Sequence, residues 1–318
     1  MEKHVKAKVE QQFSDRHMTI GRVAVLTQAH NGRAPCHYCG PCERGCSAGA
    51  YFSTQSSTLP AARKTGNLTL KSDAVVERIE YNAKTQRASG VSVIDAKTGE
   101  RISYTARLVF VCASTVGSTQ LLLNSTSQHF PDGLANSSGT LGRYLMDHTL
   151  GTGAMGVFME HQDKVVYGKR PNGIYIPRFR NLDNQSNEDT NFLRGYGYQG
   201  SAMRIGWEGL APQIPGFGAE FKHALRTPGP WIMYLTGFGE CLPYRHNRIV
   251  LDKNKKDQFG IPQLRFEFKW GSNEENMRKD IAEQASDMLT KSGAMFVNSF
   301  VKNSMGGEAI HEMGTARM

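Results

Sequence analysis

The stretch RLVFVCASTVGSTQLLLNS, residues 107–125, constrains the fold of this chain more than any other. Five apolar residues in succession, Leu108 to Cys112, suit a strand covered on both faces, as in the interior of a parallel sheet. The Ser/Thr/Gly run behind them supplies a turn and N-cap chemistry, and a helix is expected over Thr119 to Ser125. Strand, turn of small residues and helix N-terminus, in that order, leave backbone N–H groups free to hold a phosphate. An α/β fold is the expectation.

Flanking segments read differently. LTLKSDAVVERIEYN and RASGVSVIDAKTGERISYTA alternate with period two and are separated by turn signals, which predicts a small antiparallel meander with a tight turn at Lys97-Thr98-Gly99. GRVAVLTQAHNGRA predicts a short strand entering a loop, and STLPAARKTGN a short helix ending at Gly66. From Gly151 to about Trp270, runs such as GIYIPRF, WIMYLTGFGECLP, NRIVLD and LRFEFKW predict a second, mostly antiparallel sheet. SNEENMRKDIAEQASDMLTKSGA is the clearest helix. Ser272 is its N-cap, Glu274 and Glu275 lie in its first turn, Ile281, Ala285, Met288 and Leu289 form its buried stripe, and Gly293 lies past its end. Residues 151–156, GTGAMG, match the dinucleotide fingerprint, but VFMEHQDKVVYG follows with no helical period, so they read as strand and turn.

With 318 residues there is room for two domains. The expected division is an N-terminal segment with a cysteine-rich loop (1–65), part of a cofactor domain (66–149), a substrate domain (150–300) and a return to the active-site region (301–318). Lys and Arg number 38 against 29 Asp and Glu, but they are scattered, which argues against a nucleic-acid partner. The cluster Lys253 to Lys256 is broken by Asn254, followed by Asp257, and reads as a solvated turn. No window has the apolar length of a membrane span, and the opening MEKHVKAKVEQQF is too charged for a secretory leader. Neither periplasm nor cytoplasm follows from that.

Three stretches carry a family resemblance: GAYFSTQSSTLPAARKTGNLTL; ARLVFVCASTVGSTQLLLNS with GTLGRYLMDH; and HEMGTARM. In order and spacing the chain resembles the flavin-dependent glucose-methanol-choline (GMC) oxidoreductases. The resemblance implies FAD as cofactor and a fold comprising part of an FAD-binding domain plus an antiparallel-sheet substrate domain. It implies a base at His311, which opens the last motif; imidazole suits the removal of a hydroxyl proton while hydride leaves the adjacent carbon. It also implies that Val75 lies against the adenine, Ala113 and Ser114 near the ribose and pyrophosphate, and Gly314 and Thr315 beside the flavin ring. Asp147 and His148 belong to a family motif without an assigned chemical step, their plain reading being a polar hinge. The family's opening G-x-G-x-x-G unit and its final segment with a second His or Asn have no counterpart in these 318 residues. The sequence therefore resembles the middle of such an enzyme, and a truncated, non-catalytic protein or partner subunit that binds no FAD alone is the competing expectation.

PCHYCGPCERGCSAGA adds a separate question. Cys36, Cys39, Cys42 and Cys46 follow the Cys-x2-Cys-x2-Cys-x3-Cys spacing of ferredoxin cluster loops, with Ser47 where proline is usual. The spacing leaves an iron–sulfur cluster and disulfides such as Cys36–Cys46 both open, and zinc fits less well because its pairs are normally farther apart. Some sugar dehydrogenases of the family are similar here and carry a cluster that passes electrons to a cytochrome. Cys112 and Cys241 lie in apolar runs and read as inert core thiols. The expected activity is oxidation of the CH–OH group of a sugar or polyol. Sugar is preferred because GFGECLP, NRIVLD and KWGSNEENM resemble the carbohydrate-oxidising branch, and a cytochrome or small subunit is the expected electron acceptor.

Overall fold

The computed structural model describes residues 1–40, 42–164, 173–182, 190–302 and 304–317. The chain forms two compact units from interleaved segments: Met1–Thr69, Thr149–Glu240 and Ser272–Asn303 in one, Leu70–His148, Cys241–Gly271 and Ser304–Met318 in the other.

In chain order, α1 (Glu2–Gln12), β1 (Thr19–Ile20) and α2 (Thr58–Lys64) belong to the first unit. The second then takes β2 (Ala74–Asn82), β3 (Arg87–Asp95), β4 (Arg101–Thr105) and α3 (Ser114–Asn124). The first resumes with β5 (Thr152–Phe158), β6 (Ile174–Ile176), β7 (Tyr196–Arg204), the short helices α4 (Trp207–Leu210) and α5 (Gly218–Ala224), and β8 (Trp231–Gly239). The second adds β9 (Arg248–Lys256) and β10 (Pro262–Glu267); the first closes with α6 (Ser272–Lys291) and β11 (Met295–Val301).

The first unit is built on a six-stranded antiparallel sheet in the order β1-β6-β7-β8-β5-β11. Alternation sorts its faces: along β8, Trp231, Met233 and Leu235 are buried while Ile232, Tyr234, Thr236 and Phe238 are only half-buried. The buried face packs on α6 through Met277, Ile281, Ala285, Met288 and Leu289, and on α1 through Val5 and Val9. Burying each of these larger side chains is worth roughly 2 kcal/mol. Helix α1 was signalled only by two valines four residues apart in a charged run. Ser272 is the first helical residue of α6, and Gly293 reverses the chain at φ +96°. Inside this core Arg180 grips Asp280 with two bonds of 3.0 Å, and the Tyr196 hydroxyl donates to the same carboxylate. Burial, then the Asp280 charge, pushes the Tyr196 phenol well above its ordinary range.

In the second unit β2, β3 and β4 form the expected antiparallel meander. Asp95 Oδ1 shapes its turn by accepting from the Lys97 and Thr98 amides at 2.8 and 3.0 Å. β9 and β10 pair antiparallel as a separate two-stranded sheet, so NRIVLD and LRFEFKW do not extend the larger one. The Lys253–Lys256 cluster is the exposed end of β9 and not a turn. Helix α3 begins at Ser114, earlier than expected, and ties to β2 where Ser125 Oγ accepts from the Ile79 amide at 2.8 Å.

Three expectations are corrected. GRVAVLTQAHNGRA forms no strand; it is loop with isolated bridges, Val25 with Tyr51 and His30 with Arg33. Leu108–Cys112 joins no sheet, and Leu108 and Phe110 are 73% and 82% exposed. Cys112, expected in the core, is exposed with them. A run of apolar residues signals strand propensity, whereas burial depends on neighbours outside the run.

Close approach of sheet and helix fixes Gly237, where a Cβ would run into the Ile281 side chain. Gly237→Ala should therefore lower the unfolding free energy by about 1–3 kcal/mol. Urea denaturation of Gly237→Ala, Ile281→Ala and the double variant checks this, the double being less destabilised than the sum of the singles.

Candidate active site

The carboxylate of Asp147, 1% exposed, is the organising group of the second unit's candidate site. Its Oδ1 accepts from the amides of His148 (2.8 Å) and His311 (3.3 Å), and its Oδ2 from those of Gly307 (2.8 Å) and Ala309 (3.2 Å). One side chain thus satisfies four backbone donors and fixes the path of residues 307–311. The rings of His148 and His311 consequently meet edge to face, 5.4 Å between centroids.

Beyond His311 the loop is clamped from two sides. Met146 and Met313 exchange backbone bonds of 3.0 Å, Gly142 donates to Thr315 O at 2.6 Å, and Thr315 donates to Arg143 O at 3.0 Å. At Gly314, φ +89°, a Cβ would collide with the Tyr144 carbonyl oxygen, so this approach admits glycine alone. From α3, Thr115 Oγ1 donates to Glu312 O at 2.6 Å, and the Thr119 and Thr315 hydroxyls bond at 2.7 Å. Ser114, Tyr144, Ile310 and Thr315, all in these segments, hold φ between 55 and 61°. Left-handed backbone at β-branched Ile310 and Thr315 costs on the order of 1–3 kcal/mol each, a strain that the surrounding bonds sustain.

Sequence-expected residues are thereby brought together in part. Thr115 and Thr119 link the α3 turn, with Ala113 and Ser114 at its head, to the loop carrying His311, Gly314 and Thr315. His311, Ala113 and Ser114 are exposed, Gly314 is half-buried and Thr315 is buried. Val75 takes no part in this network; it pairs with Ile94 in the meander. Ala113 occupies the N-cap position of α3 without a side-chain cap, so the first-turn amides and the small residues around them suit the phosphates of a dinucleotide such as FAD. The sequence assigned no bond to Asp147, Thr115 or Thr119. The pairing of Asp147 with His148 in GTLGRYLMDH was the available signal.

The cysteine loop lies in the first unit, closed at its base where Cys36 donates to Leu26 O at 2.9 Å and Ala34 to Ala48 O at 3.0 Å. Cys36 and Cys46 are both unbridged, so the Cys36–Cys46 disulfide is not formed. Among the described residues no three His, Cys, Asp or Glu side chains group as a metal site. Amides surround Cys46 instead: that of Tyr51 foremost, with those of Ala50, Ala48 and Gly49, holds its thiol below the usual range. Cys241 is half-buried.

A cavity of about 720 Å³ opens in the first unit on the face of the large sheet opposite α6. Arg22, Tyr175, Gln199, Tyr234, Thr236 and Phe238 are among its lining residues, a mixture of aromatic rings, amide and hydroxyl groups.

Removing the central acceptor tests the loop's construction. Asp147→Ala should lower the unfolding free energy by roughly 2–4 kcal/mol through buried donors left unpaired, and Asp147→Asn, which keeps an acceptor oxygen, by less. Denaturation curves give the order, and amide exchange at Gly307, Ala309 and His311 should rise in both variants.

Residues 19–150 match the family model described as GMC oxidoreductase. A 2-methyl-1,2-propanediol dehydrogenase of Mycolicibacterium austroafricanum is 30% identical over 93% of this chain and 52% of its own length. The gluconate 2-dehydrogenase flavoprotein of Pantoea cypripedii is 25% identical over 76% of this chain and 40% of its own. The fructose dehydrogenase large subunit of Gluconobacter japonicus is 26% identical over 85% and 47%. The chain spans about half the length of these curated relatives. Over residues 19–150, and with dehydrogenases as its relatives along most of its length, the chain belongs to the GMC oxidoreductase family.

Proposed function

We propose that this chain supplies the proton-accepting loop and part of the FAD-binding surface of a dehydrogenase that oxidises the CH–OH group of a sugar or polyol. The observation that carries the reading is the Asp147 knot, in which three amide bonds and the Thr115 and Thr119 hydroxyls tie the His311 loop to Asp147 and to α3, whose N-terminus has no side-chain cap. The flavin, when bound, accepts the hydride. An unprotonated ring nitrogen of His311 takes the hydroxyl proton, and His148, in contact with that ring, limits its rotation. The Asp147 bonds fix the backbone from which the imidazole projects, which serves orientation more than acidity. Ala113 and Ser114 would offer small side chains to the cofactor's ribose and pyrophosphate, Gly314 and Thr315 would border the flavin ring, and Val75 would offer main chain to the adenine.

Sugar is preferred as substrate because of the polar and aromatic lining of the first unit's cavity and because relatives are named for gluconate and fructose. An electron carrier, a cytochrome or small subunit, is the proposed acceptor; one relative is named as a large subunit. No helix among the described residues is long and apolar enough to cross a membrane. The iron–sulfur reading rests on cysteine spacing only, and no step passes through it. A second reading, in which the chain alone holds no FAD, is favoured by the exposure of Leu108 and Phe110 directly ahead of α3.

His311→Asn should lower kcat/KM for the oxidised sugar by about 10²–10⁴ while the protein's flavin absorbance per chain is retained. Steady-state assays with an artificial electron acceptor, paired with visible spectra, measure both. Full activity in the variant would remove His311 from the reaction.

A further inference from the structure

The cavity of the first unit has a floor set by the register of its sheet. Tyr175 on β6, Gln199 on β7 and Thr236 on β8 stand opposite one another in one row, and Ser201 and Tyr234 stand opposite one another in the next. Residues two apart along a strand share a face, so these five side chains project from the side of the sheet away from α6, where they line the cavity of about 720 Å³. Two steps between neighbouring strands carry the first row across roughly 10 Å. The hydroxyl and amide groups of these side chains bond to no described residue, and each can both donate and accept. Such a floor suits the hydroxyls of a polyol chain, which also do both.

One charge stands at the edge of this neutral floor. The Gly21 amide donates to Gly173 O at 2.7 Å, which continues the pairing of β1 with β6 by one residue and sets Arg22 at the β1 side of the cavity. Among the described residues that line the cavity Arg22 alone is charged, and no carboxylate of the described residues pairs with it. An unpaired guanidinium in a concave site attracts an anion from outside the chain, and its planar fork matches a carboxylate with two parallel bonds. The size of the charge decides between anions. A phosphate ester brings about −1.5 to −2 at neutral pH, which one guanidinium among neutral neighbours leaves uncompensated, whereas a carboxylate brings a single charge that it balances.

We infer that this cavity is selective for a sugar acid, a polyol chain with a carboxylate at one end, and that Arg22 is the residue that sets the preference. The inference deepens the proposed oxidation and rests on it for one point, that the substrate's carbon chain lies in this cavity. Arg22 grips the carboxylate, while Tyr175, Gln199, Thr236, Ser201 and Tyr234 exchange hydrogen bonds with the hydroxyls. The anchored end is already an acid, so the CH–OH group that reacts belongs to the remainder of the chain.

Ligand-observed NMR titrations of the full chain with D-gluconate, D-glucitol and D-glucitol 6-phosphate give the dissociation constants that test this, since the three probes share one carbon chain and differ in charge. Gluconate should bind at least about tenfold more tightly than either of the others. Arg22→Gln should remove that advantage and leave glucitol within about twofold of wild type; because Arg22 is exposed, the circular dichroism of the variant should match wild type. Gln199→Ala, which touches hydroxyls common to both probes, should weaken gluconate and glucitol by the same factor. A smaller preference for gluconate, a preference that survives Arg22→Gln or is lost in Gln199→Ala, tightest binding of the 6-phosphate, or no binding of any probe would each overturn the inference. These constants are read without turnover, so they are separate from the His311→Asn assay. Equal constants for gluconate and glucitol in a protein that still oxidises a polyol through His311 would remove the role of Arg22 alone, and a gluconate preference set by Arg22 in a protein whose turnover ignores His311 would remove the proposed chemistry alone.

Discussion

A single buried carboxylate holds the candidate site together. Asp147 accepts four amides, three of them from residues 307 to 311. Its consequences extend outward. The path it imposes carries the chain into the left-handed backbone at Ile310, sets His311 against His148, and delivers Gly314 to a close approach that a side chain would obstruct. The hydroxyls of Thr115 and Thr119 then join this loop to α3, so that a helix N-terminus and an imidazole are held by one continuous set of bonds. Charge-assisted bonds of this kind hold geometry more firmly than apolar packing would, since each has a direction as well as a strength.

The two units are stabilised by different physics. In the first, one face of an antiparallel sheet is sealed by α6 and α1 with aliphatic and methionine side chains, and Arg180, Asp280 and Tyr196 pair their polar groups with one another. The second has little comparable core. Its meander, its two-stranded sheet and α3 are connected largely through backbone and hydroxyl bonds, and its most apolar segment, Leu108–Cys112, lies in solvent.

Local pattern made much of this legible. The period of α6, the alternation of β2 to β4 and the glycine beyond Lys64 are each encoded within a few residues and were readable as such. Leu108–Cys112 was readable as a strand-forming run but not as an exposed one, because burial depends on neighbours that no local pattern contains. Helix α1 has only Val5 and Val9 to mark its inner face, too weak a signal amid so many charges. The site divides in the same way. His311 and Gly314 lie in a motif that names them, whereas the bonds from Asp147 to amides some 160 residues away use backbone donors that every residue possesses, and so leave no mark on residue type.

The central claim is that the imidazole of His311, held by the Asp147 knot, faces the hydroxyl of a substrate at a flavin. A crystal structure of the protein with FAD and a non-reacting polyol tests it most directly. The account predicts a ring nitrogen of His311 within about 3.2 Å of a substrate oxygen, with the Asp147 bonds to residues 307–311 intact. A polyol bound with its oxidisable carbon at the flavin and another side chain in hydrogen-bond reach of that oxygen, His311 turned away, would contradict it.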